Sequence, residues 1–328
     1  MTRVLRVDAA HPDPVAIAEA VGVLERGGLV AFPTETVYGL GARGLRAEEV
    51  RKIFAAKGRP PGHPIILHVD GDARARSLAA EWSDTAALLA RDFWPGPLTI
   101  VVPRAPNVPP EVSGGLDTVG IRAPNHPVAL ALIRAIGEPL AAPSANAHTH
   151  VSPTTAEHVV RSLGDKVDLV LDAGPCTHGI ESTVVAIGPP LRVLRPGAIT
   201  LEQLRAIDPG TVDGTTTIED DAPRAAPGMA AKHYAPRARV LLMQRGHFAK
   251  PVGGRVAAIV VTDDARAAAS SCAPLLVLPD DPAGYARGLY AALHEADASS
   301  AELIVIEAPP GDAAWRAVHD RLSRAARS

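Results

Sequence analysis

The stretch VAIAEAVGVLERGGLVAFP, residues 15–33, decides the fold class of the chain. Apolar residues recur in its first half at helical spacing, which predicts an amphipathic helix that ends at Gly27. The run LVAF that follows is short and apolar, which predicts a buried strand, and Pro33 stops it. A helix that leads directly into a buried strand is typical of α/β proteins.

Residues 1–207 repeat this alternation of helical and extended patterns. AEEVRKIFAAKG predicts a helix that ends at Gly58, with Lys57 in its last turn and Arg59 just beyond it. Further helices are predicted by PVALALIRAIG and TAEHVVRSLG, and strands by PIILHV, LTIVV, TVGIR, PLAAP, DLVLD, STVVAI and LRVLRPG. We therefore expect one α/β domain with a sizeable parallel or mixed sheet.

Periodicity disappears over residues 208–238, where polar residues, Pro and Gly predict a linker. Residues 239–328 then predict a small α/β domain, because apolar runs again alternate with helical patterns. Its strands are almost wholly apolar, as expected where helices cover both faces of a sheet. Within the linker, APGMAAKHYAP at residues 226–236 is more specific than a flexible spacer requires.

The composition argues against several classes of protein. The 328 residues carry a formal net charge of −3, so there is no general attraction for nucleic acid or an anionic membrane, and any anion site must be local. Cys176 and Cys272 form no spacing that suggests a disulfide framework or structural zinc. No apolar run approaches the length of a membrane span and the first residues lack a signal-peptide pattern, so we expect a cytoplasmic protein with no membrane contact.

One glycine-rich segment, GLGARG at residues 39–44, fits the spacing of a dinucleotide-binding turn. The fit is poor because the six residues PTETVY separate the preceding strand from the first glycine, which should stand at the strand end. The sequence therefore favours a plain glycine turn here. A P-loop motif is absent from the sequence.

Basic and hydroxyl side chains recur where predicted elements begin or end. Arg122 and Arg195 end strands before proline turns, and open α/β sheets bind ligands at strand ends. Lys57 and Arg59 flank a glycine before a Pro-Pro-Gly turn, where they could converge on one polyanion or simply end a helix. Ser182 enters a strand from a glycine-rich loop.

By themselves the strand-end arginines and Ser182 are more typical of structure than of function, and the segment with Lys57 and Arg59 fits both interpretations equally. Together they form a basic set with hydroxyls, and the sequence offers no paired carboxylates, Ser-His-Asp pattern or metal-ligand cluster. Such a set suggests catalysis by positioning and charge neutralisation. Nucleotidyl and phosphoryl transfer work in this way.

Eight motifs in order connect the chain to a known family. They are PTETVYGLG, KGRPPGHPIILHV, FWPGPLTIVV, TVGIRAPNHPVA, PLAAPSAN, SPTTAEHV, GPCTHGIESTVV and LRPGAIT. Together they resemble the YrdC-type threonylcarbamoyl-AMP synthase family, and the linker and last domain resemble its longer, two-domain branch. The resemblance implies a YrdC-like open twisted sheet with helices, plus a smaller C-terminal Rossmann-like α/β domain.

The resemblance also implies a reaction. The enzyme would join L-threonine, bicarbonate or CO2, and ATP into threonylcarbamoyl-AMP and release pyrophosphate. The product would serve threonylcarbamoyladenosine formation next to the tRNA anticodon, so the implied partner is a downstream tRNA threonylcarbamoyl transferase complex. ATP is then a substrate, and Mg2+ is expected on its phosphates, without protein ligands of its own.

The matching motifs imply the residues of the site. Lys57 and Arg59 would be catalytic. The residues implied to contact threonine are Thr36, His68, Arg122, Ala142 and Ser182. Those implied to contact ATP are Lys57, Arg59, His63, Thr118, Ser144, Ser152, Arg195 and Tyr234. Residues 226–236 would form a lid across the pocket, with Lys232 and Tyr234 facing ATP.

Some positions depart from the pattern of that family. His63 stands where the family often has Asn, and Ala230 and Ala231 stand where a basic and an aromatic residue are common. Ala226 replaces a usual Ser, and SANAHTH lacks the Ser-Gly that commonly follows SAN.

Two other functions fit parts of the pattern. The first is an RNA-binding module without turnover, which the neutral overall charge and the 3% aromatic content weaken. The second is a carbamoyl transferase that uses carbamoyl phosphate on a similar domain, but the expected acylphosphatase-like and zinc-finger segments are absent from the sequence. Direct tRNA binding is left open.

Overall fold

The computed structural model describes residues 2–215, 234–249 and 254–327. Most of the predicted lid, including Lys232 and the substituted alanines, lies outside these ranges.

The helices are α1 (Pro14–Glu25), α2 (Ala47–Lys57), α3 (Asp72–Arg76), α4 (Asp84–Phe93), α5 (Pro110–Ser113), α6 (Pro127–Ile136), α7 (Ala156–Leu163), α8 (Leu201–Ile207), α9 (Asp263–Ala268), α10 (Pro282–Ala298) and α11 (Arg316–Ala325). The strands are β1 (Arg3–Arg6), β2 (Val30–Phe32), β3 (Gly39–Arg43), β4 (Leu67–His68), β5 (Leu98–Pro103), β6 (Thr118–Arg122), β7 (Leu140–Ala141), β8 (Leu169–Asp172), β9 (Thr183–Ala186), β10 (Arg192–Arg195), β11 (Val212–Asp213), β12 (Arg239–Met243), β13 (Val256–Val260), β14 (Leu275–Val277) and β15 (Leu303–Glu307).

The first sheet has eleven strands in the order β1-β8-β2-β3-β7-β4-β6-β5-β9-β10-β11. Its strands are mixed in direction, since β2 runs parallel to β8 and antiparallel to β3. Alternate residues of β2 enter different cores: Val30 and Phe32 join the core beneath α1 and α6, and Ala31 joins the larger core on the other face. Both faces are therefore covered, which confirms the predicted α/β class.

Helix α1 begins and ends where its sequence predicts. The Asp13 side chain accepts a hydrogen bond from the Val15 backbone N–H at 3.0 Å, and a proline occupies the first helical turn. Gly27 lies just past the end with φ of 73°, a conformation that favours glycine. The helix buries Ala20 and Leu24 completely, so its apolar face anchors the sheet on that side.

The plain glycine turn that the sequence favoured at GLGARG is wrong, because Gly39–Arg43 form strand β3. A side chain at Gly41 would place its Cβ 2.7 Å from the Phe32 ring, and one at Gly44 would lie 2.6 Å from a Leu67 methyl group. Close packing against neighbouring strands requires these glycines. The segment is neither a turn nor the dinucleotide-binding turn that was the alternative.

The predicted strand PIILHV is shorter than its sequence pattern, because only β4 pairs regularly. The flanking residues still bond to neighbours, with the Ile65 N–H donating to the Val112 carbonyl and the Ala142 N–H to the Ile66 carbonyl. In the parallel register of β4 and β6, His68 lies opposite Arg122. Two side chains named from separate motifs are thus neighbours at the carboxyl ends of these strands.

The second sheet has four parallel strands in the order β12-β15-β13-β14, which confirms the Rossmann-like C-terminal fold. Its helices α10 and α11 also face the first sheet's domain. One continuous apolar cluster contains Val37 and Ile180 from the first domain with Tyr290 and Leu322 from the second. Strand β11 lies inside the predicted linker and extends the first sheet, so that sheet continues past residue 207.

Two stacked histidine rings at this interface should make the fold sensitive to acid. The ring centroids of His158 and His294 lie 3.9 Å apart, and burial lowers the pKa of His158 to about 3 and that of His294 to about 4. Below the ordinary histidine pKa near 6.5 the unfolded chain therefore binds protons that the folded chain does not. Above about pH 6.5 these histidines should not reduce the free energy of unfolding. Below that pH the free energy of unfolding should fall, by up to about 1.4 kcal/mol per pH unit for His294 alone.

Urea denaturation at pH 7 and pH 5 measures this loss. His294→Asn should flatten the dependence on pH, whereas His247→Asn, at an exposed position, should not. An unchanged dependence in His294→Asn would contradict the prediction.

Candidate active site

One pocket gathers side chains from distant parts of the chain, close to the ends of β2, β4, β6 and β10. It is lined by Thr34, Thr36, Val37, Gly39, Arg59, Ile66, His68, Arg122, Ala142, Pro143, Ser144, Glu181, Ser182, Arg195 and Tyr234. The structure thus brings together nine of the residues implied by sequence: Thr36, Arg59, His68, Arg122, Ala142, Ser144, Ser182, Arg195 and Tyr234. Strands that end side by side explain why the motifs converge.

Arg122 is a buried cation that is held from three sides. Its Nε donates to the Gly96 carbonyl at 3.2 Å, and its Nη1 donates to the Thr36 hydroxyl at 2.9 Å. Its Nη2 lies 2.7 Å from a carboxylate oxygen of Glu35, and both side chains are only 4% exposed. The guanidinium is therefore fixed in one orientation at the pocket wall, ready for an anionic group.

His68 provides a neutral polar group beside Arg122. Burial lowers its pKa to about 3, with the Arg122 charge acting in the same direction, so the imidazole is uncharged at neutral pH. Its Nδ1 is buried without a hydrogen-bond partner in the described part of the chain. A buried polar atom of this kind at a pocket wall is suited to bond a ligand.

Arg195, the last residue of β10, forms a second cationic centre beside Ser182, which directly precedes β9. Its Nε donates to the Ser182 carbonyl at 3.0 Å, and its Nη2 donates to the Ser182 hydroxyl at 3.1 Å. The same hydroxyl lies 2.8 Å from the Thr99 hydroxyl in the buried sheet. These bonds fix Arg195 to a strand and hold the Ser182 side chain in place.

Lys57 lies behind the pocket wall and is not among the lining residues. Its ammonium group donates to the backbone carbonyls of Ser144 and Asn146, and burial, with the Arg59 charge, lowers its pKa well below the ordinary value. The implied contact between Lys57 and ATP stays a prediction. What the structure shows is that Lys57 fixes the Ser144 loop.

Replacing Lys57 by methionine should destabilise the protein. Buried carbonyls would lose their donor, which costs about 3 kcal/mol of unfolding free energy and about 6–12 °C of melting temperature. Calorimetry measures this effect. Lys52→Met is the matched control, since Lys52 lies on the same helix and donates to the Gly27 carbonyl away from the pocket. If the two variants lost equal free energy of unfolding, Lys57 would have no special role in stability.

Arg59 and Tyr234 also line the pocket. Arg59 donates through Nη2 to the Pro64 carbonyl at 3.0 Å, so the rigid PPGHP turn holds its guanidinium. Tyr234 is 1% exposed and has a φ of 61°, in the left-handed region that a bulky residue rarely adopts. The backbone N–H of Ala235 donates to the Thr149 carbonyl and anchors this strained residue. Strain of this kind clusters at functional sites.

Three other implied ATP residues do not line the pocket. Ser152 is buried just behind it, where its hydroxyl donates to Glu181 at 2.6 Å. Thr118 begins β6, at the opposite end of the strand from Arg122. The His63 ring lies 5.3 Å from the His148 ring, centroid to centroid.

Sequence reasoning missed two buried carboxylates. Glu35 pairs with Arg122, and Glu181 lines the pocket and pairs with Arg321 at 2.9 Å. Burial acts to raise the pKa of Glu181, but Arg321 and Arg195 hold it below its ordinary value, so the carboxylate is ionised. Glu35 directly precedes Thr36 and Glu181 directly precedes Ser182 in the sequence. Only the structure shows that an arginine lies next to each carboxylate. Charge-paired carboxylates do not serve as free acids or bases.

The donor set fits a Mg2+ ion carried on phosphates. Among the described residues, no three His, Cys, Asp or Glu side chains group together as a metal site. Among the described lining residues, the one carboxylate is that of Glu181, which already pairs with Arg321. Mg2+ usually keeps several waters and binds through substrate phosphates, and the Mg2+ that the sequence predicts on ATP stays a prediction.

Within the described ranges, no helix combines the length and the apolar character that a bilayer crossing requires.

Two protein-family profiles match the chain. The Sua5/YciO/YrdC profile, described as "Telomere recombination", matches residues 22–197. The profile described as "Threonylcarbamoyl-AMP synthase, C-terminal domain" matches residues 199–327.

Individual relatives agree with these profiles. The threonylcarbamoyl-AMP synthase of Bacillus subtilis is 39% identical over 325 residues, which cover 94% of this chain and 92% of that protein. The Pyrococcus abyssi protein of the same name is 43% identical over 228 residues, covering 69% and 67% respectively. The crystal structure of P. abyssi Sua5 complexed with L-threonine has a TM-score of 0.89 at 34% identity and covers 99% of this chain and 97% of that one.

Proposed function

The chain belongs to the Sua5/YciO/YrdC family in its two-domain form, and we propose that its pocket makes threonylcarbamoyl-AMP from L-threonine, bicarbonate or CO2, and ATP. One observation carries this proposal, namely two separate arginine centres in a single pocket. Arg122 is bonded to Thr36 and Glu35, whereas Arg195 is bonded to Ser182. An amino-acid carboxylate and a polyphosphate together need two such centres.

Arg122 is the proposed partner of the threonine carboxylate. A planar guanidinium can bind a carboxylate through two parallel hydrogen bonds. The free Nδ1 of His68 is suited to bond the threonine hydroxyl or amine. Ala142 and Ser182 complete the proposed threonine site with small side chains, which leave room for a branched amino acid.

Arg59 and Arg195 are the proposed partners of the ATP phosphates, with Ser144 and Tyr234 beside them. Lys57 supports this half of the site from behind, through the Ser144 loop. Ser152, His63 and Thr118 remain proposed ATP contacts from the family resemblance. Bound Mg2+ would offset phosphate charge that the arginines leave uncompensated.

The proposed reaction needs positioning more than acid or base catalysis. The threonine amine attacks the carbon of CO2 and loses a proton, which gives a carbamate. A carbamate oxygen then attacks the α-phosphorus of ATP, and the bond from that phosphorus to the bridging oxygen of pyrophosphate breaks. Arginines that hold the carboxylate and the phosphates in register supply proximity and charge stabilisation.

Pyrophosphate release tests the proposal. Purified protein with L-threonine, bicarbonate and MgATP should release pyrophosphate, and omission of threonine should abolish the release. Threonylcarbamoyl-AMP should appear in equal amount by mass spectrometry. Salt-dependent tRNA binding without threonine-dependent pyrophosphate release would favour the RNA-binding alternative instead.

The product's chemistry suggests where it goes. A mixed anhydride of a carbamate and AMP is sensitive to water, so we propose prompt transfer to a tRNA threonylcarbamoyl transferase complex in the cytoplasm. Residues 226–236, most of which lie outside the described ranges, are the predicted lid, and exclusion of water by that lid would protect the product before transfer.

A further inference from the structure

Tyr234 lines the pocket in a strained backbone conformation. It lies between β11 and β12 in the chain, is almost fully buried and has a φ of 61°. Steric contact between Cβ and the backbone disfavours this region for a bulky residue. A residue in such a conformation persists only where its surroundings fix it. The neighbours of Tyr234 therefore determine whether its ring stays at the pocket.

The first domain holds the backbone directly after Tyr234. The Ala235 N–H donates to the Thr149 carbonyl at 3.0 Å, and a parallel β-bridge joins Ala235 to His150. These contacts fix the path of the chain. They leave the direction of the Tyr234 ring to the contacts of the ring itself.

The C-terminal domain packs against that ring. The Tyr290 ring on α10 lies 5.7 Å from the Tyr234 ring, centroid to centroid, with 31° between the ring planes. The Arg321 guanidinium lies 5.4 Å from the centroid of the same ring, and Arg321 is itself paired with Glu181 and Asp320. Aromatic rings and cations both attract an aromatic ring at these separations. Two side chains of the second domain thus contact the strained residue.

Tyr290 is itself fixed in one position. It is 0% exposed and belongs to the apolar cluster that also contains Val37 and Ile180 of the first domain. Its hydroxyl donates to Glu181 Oε2 at 3.0 Å, and the other oxygen of that carboxylate accepts from the Ser152 hydroxyl. A ring that is packed on its faces and bonded at its tip provides a rigid surface for Tyr234.

We propose that Tyr290 is a positioning residue for the ATP half of the site, because its ring holds Tyr234 in the conformation that faces the pocket. This inference rests on the proposed function, in which Tyr234 lies beside ATP. It assigns a task to the C-terminal domain. Among the described residues, none of that domain lines the pocket, so the domain acts on ATP through its contacts with lining residues.

Loss of the Tyr290 ring would allow Tyr234 to relax to a negative φ and leave its place in the pocket. The apparent Kd of a ligand rises in proportion as the binding-competent fraction of the protein falls. The threonine side should change less, because Arg122 is held by Gly96 and Thr36 of the first domain. The expected effect is therefore selective for ATP.

ATP binding, measured by calorimetry with MgATP and no threonine, tests the inference independently of turnover. Tyr290→Leu should raise the Kd for MgATP at least about 10-fold, and the KM for threonine at saturating MgATP less than about 3-fold. Tyr290→Phe keeps the ring but removes the hydrogen bond to Glu181, so it should lower the melting temperature and keep the Kd within about 3-fold. In a merely structural role, ATP affinity would follow stability and the two variants would not separate in this way.

Tyr285→Leu is the matched control. Tyr285 lies on the same helix, is also 0% exposed, and packs on Trp315 within the C-terminal domain, with ring centroids 5.5 Å apart. It does not line the pocket, so this variant should lose stability and keep the Kd for MgATP within about 3-fold. If Tyr290→Leu does not fold, Tyr290→Met fills the space with a flexible chain and no ring, and it should raise the Kd at least about 5-fold.

A crystal structure of Tyr290→Leu, or of Tyr290→Met in its place, shows the conformation of Tyr234 directly. We expect a negative φ and a displaced ring, and an unchanged Tyr234 would overturn the inference. Wild-type ATP affinity in that variant, an equal loss in Tyr285→Leu, or a loss above about 10-fold in Tyr290→Phe would also overturn it.

Failure of the proposed function would be distinguishable from failure of this inference. A wild type that binds MgATP but releases no pyrophosphate would refute the proposed function and leave the binding test of Tyr290 valid. A wild type that binds no MgATP would also refute the proposed function, and the conformation of Tyr234 in the variant crystal would still decide whether Tyr290 positions it.

Discussion

Replacing Arg122 by alanine is expected to raise the KM for L-threonine about 100-fold and to leave the Kd for MgATP within 3-fold of wild type. A 100-fold change corresponds to about 2.7 kcal/mol, the size expected for a lost charge-assisted contact with a carboxylate. The effect should be selective because the two arginines are held by separate contacts. Arg122 contacts Gly96, Thr36 and Glu35, whereas Arg195 donates to Ser182, so the loss of Arg122 should leave Arg195 in place. Steady-state pyrophosphate release at varied threonine measures the KM, and calorimetry measures the Kd.

The control separates lost recognition from lost folding. Arg122→Ala leaves the buried Glu35 carboxylate without its arginine, and breaking such a pair costs about 3–5 kcal/mol of stability. Arg122→Ala combined with Glu35→Gln should recover much of the melting temperature without recovering threonine affinity. A variant with weakened ATP binding and normal threonine KM would show that Arg122 is misassigned.

Replacing Arg59 by alanine should lower kcat about 1000-fold while threonine binding persists. A fixed cation aimed at charge that develops in the transition state contributes about 100- to 1000-fold in rate when it is a single donor. Arg59 lines the pocket and is held by the Pro64 carbonyl, so its orientation is set before ATP binds. Threonine-dependent pyrophosphate release and isothermal threonine titration measure the two quantities.

Arg104→Ala is the matched control for Arg59. Arg104 is a partly buried arginine that donates to the backbone carbonyls of Leu116 and Val108, and it does not line the pocket. That variant should keep wild-type kcat. Arg59→Lys should recover only part of the rate, because a lysine lacks the planar fork. An unchanged kcat in Arg59→Ala would show that Arg59 is not part of the active site.

The positions of several site residues were predictable because they follow from local rules. Arg122 and Arg195 stand at strand ends, and ligands of α/β sheets bind there. The sequence predicts His68 and Arg122 on different strands, and the parallel register of β4 and β6 brings the two together. The resemblance of the ordered motifs to one family implies that these segments form one pocket.

Charge pairing was not predictable in the same way. Local sequence does not show that Glu35 faces Arg122, nor that Arg321 from the last helix reaches Glu181. The resemblance implies that Lys57 contacts ATP, and the sequence does not show that its ammonium group donates to carbonyls of a loop distant in sequence. Such contacts depend on how separate segments pack, which periodicity does not encode.

The sequence by itself determined the α/β class, the second domain and the motifs that converge on one pocket. The class and the second domain follow from apolar periodicity and turn chemistry, which act over a few residues, whereas the shared pocket is implied by the resemblance of the motifs to one family. Only the tertiary structure decided that GLGARG is a packed strand and which charges are paired. The physical reason is that steric fit and Coulomb energy depend on distances between segments far apart in the chain. In this protein those distances join Arg321 of the last helix to Glu181 and Tyr234 in the first domain's pocket.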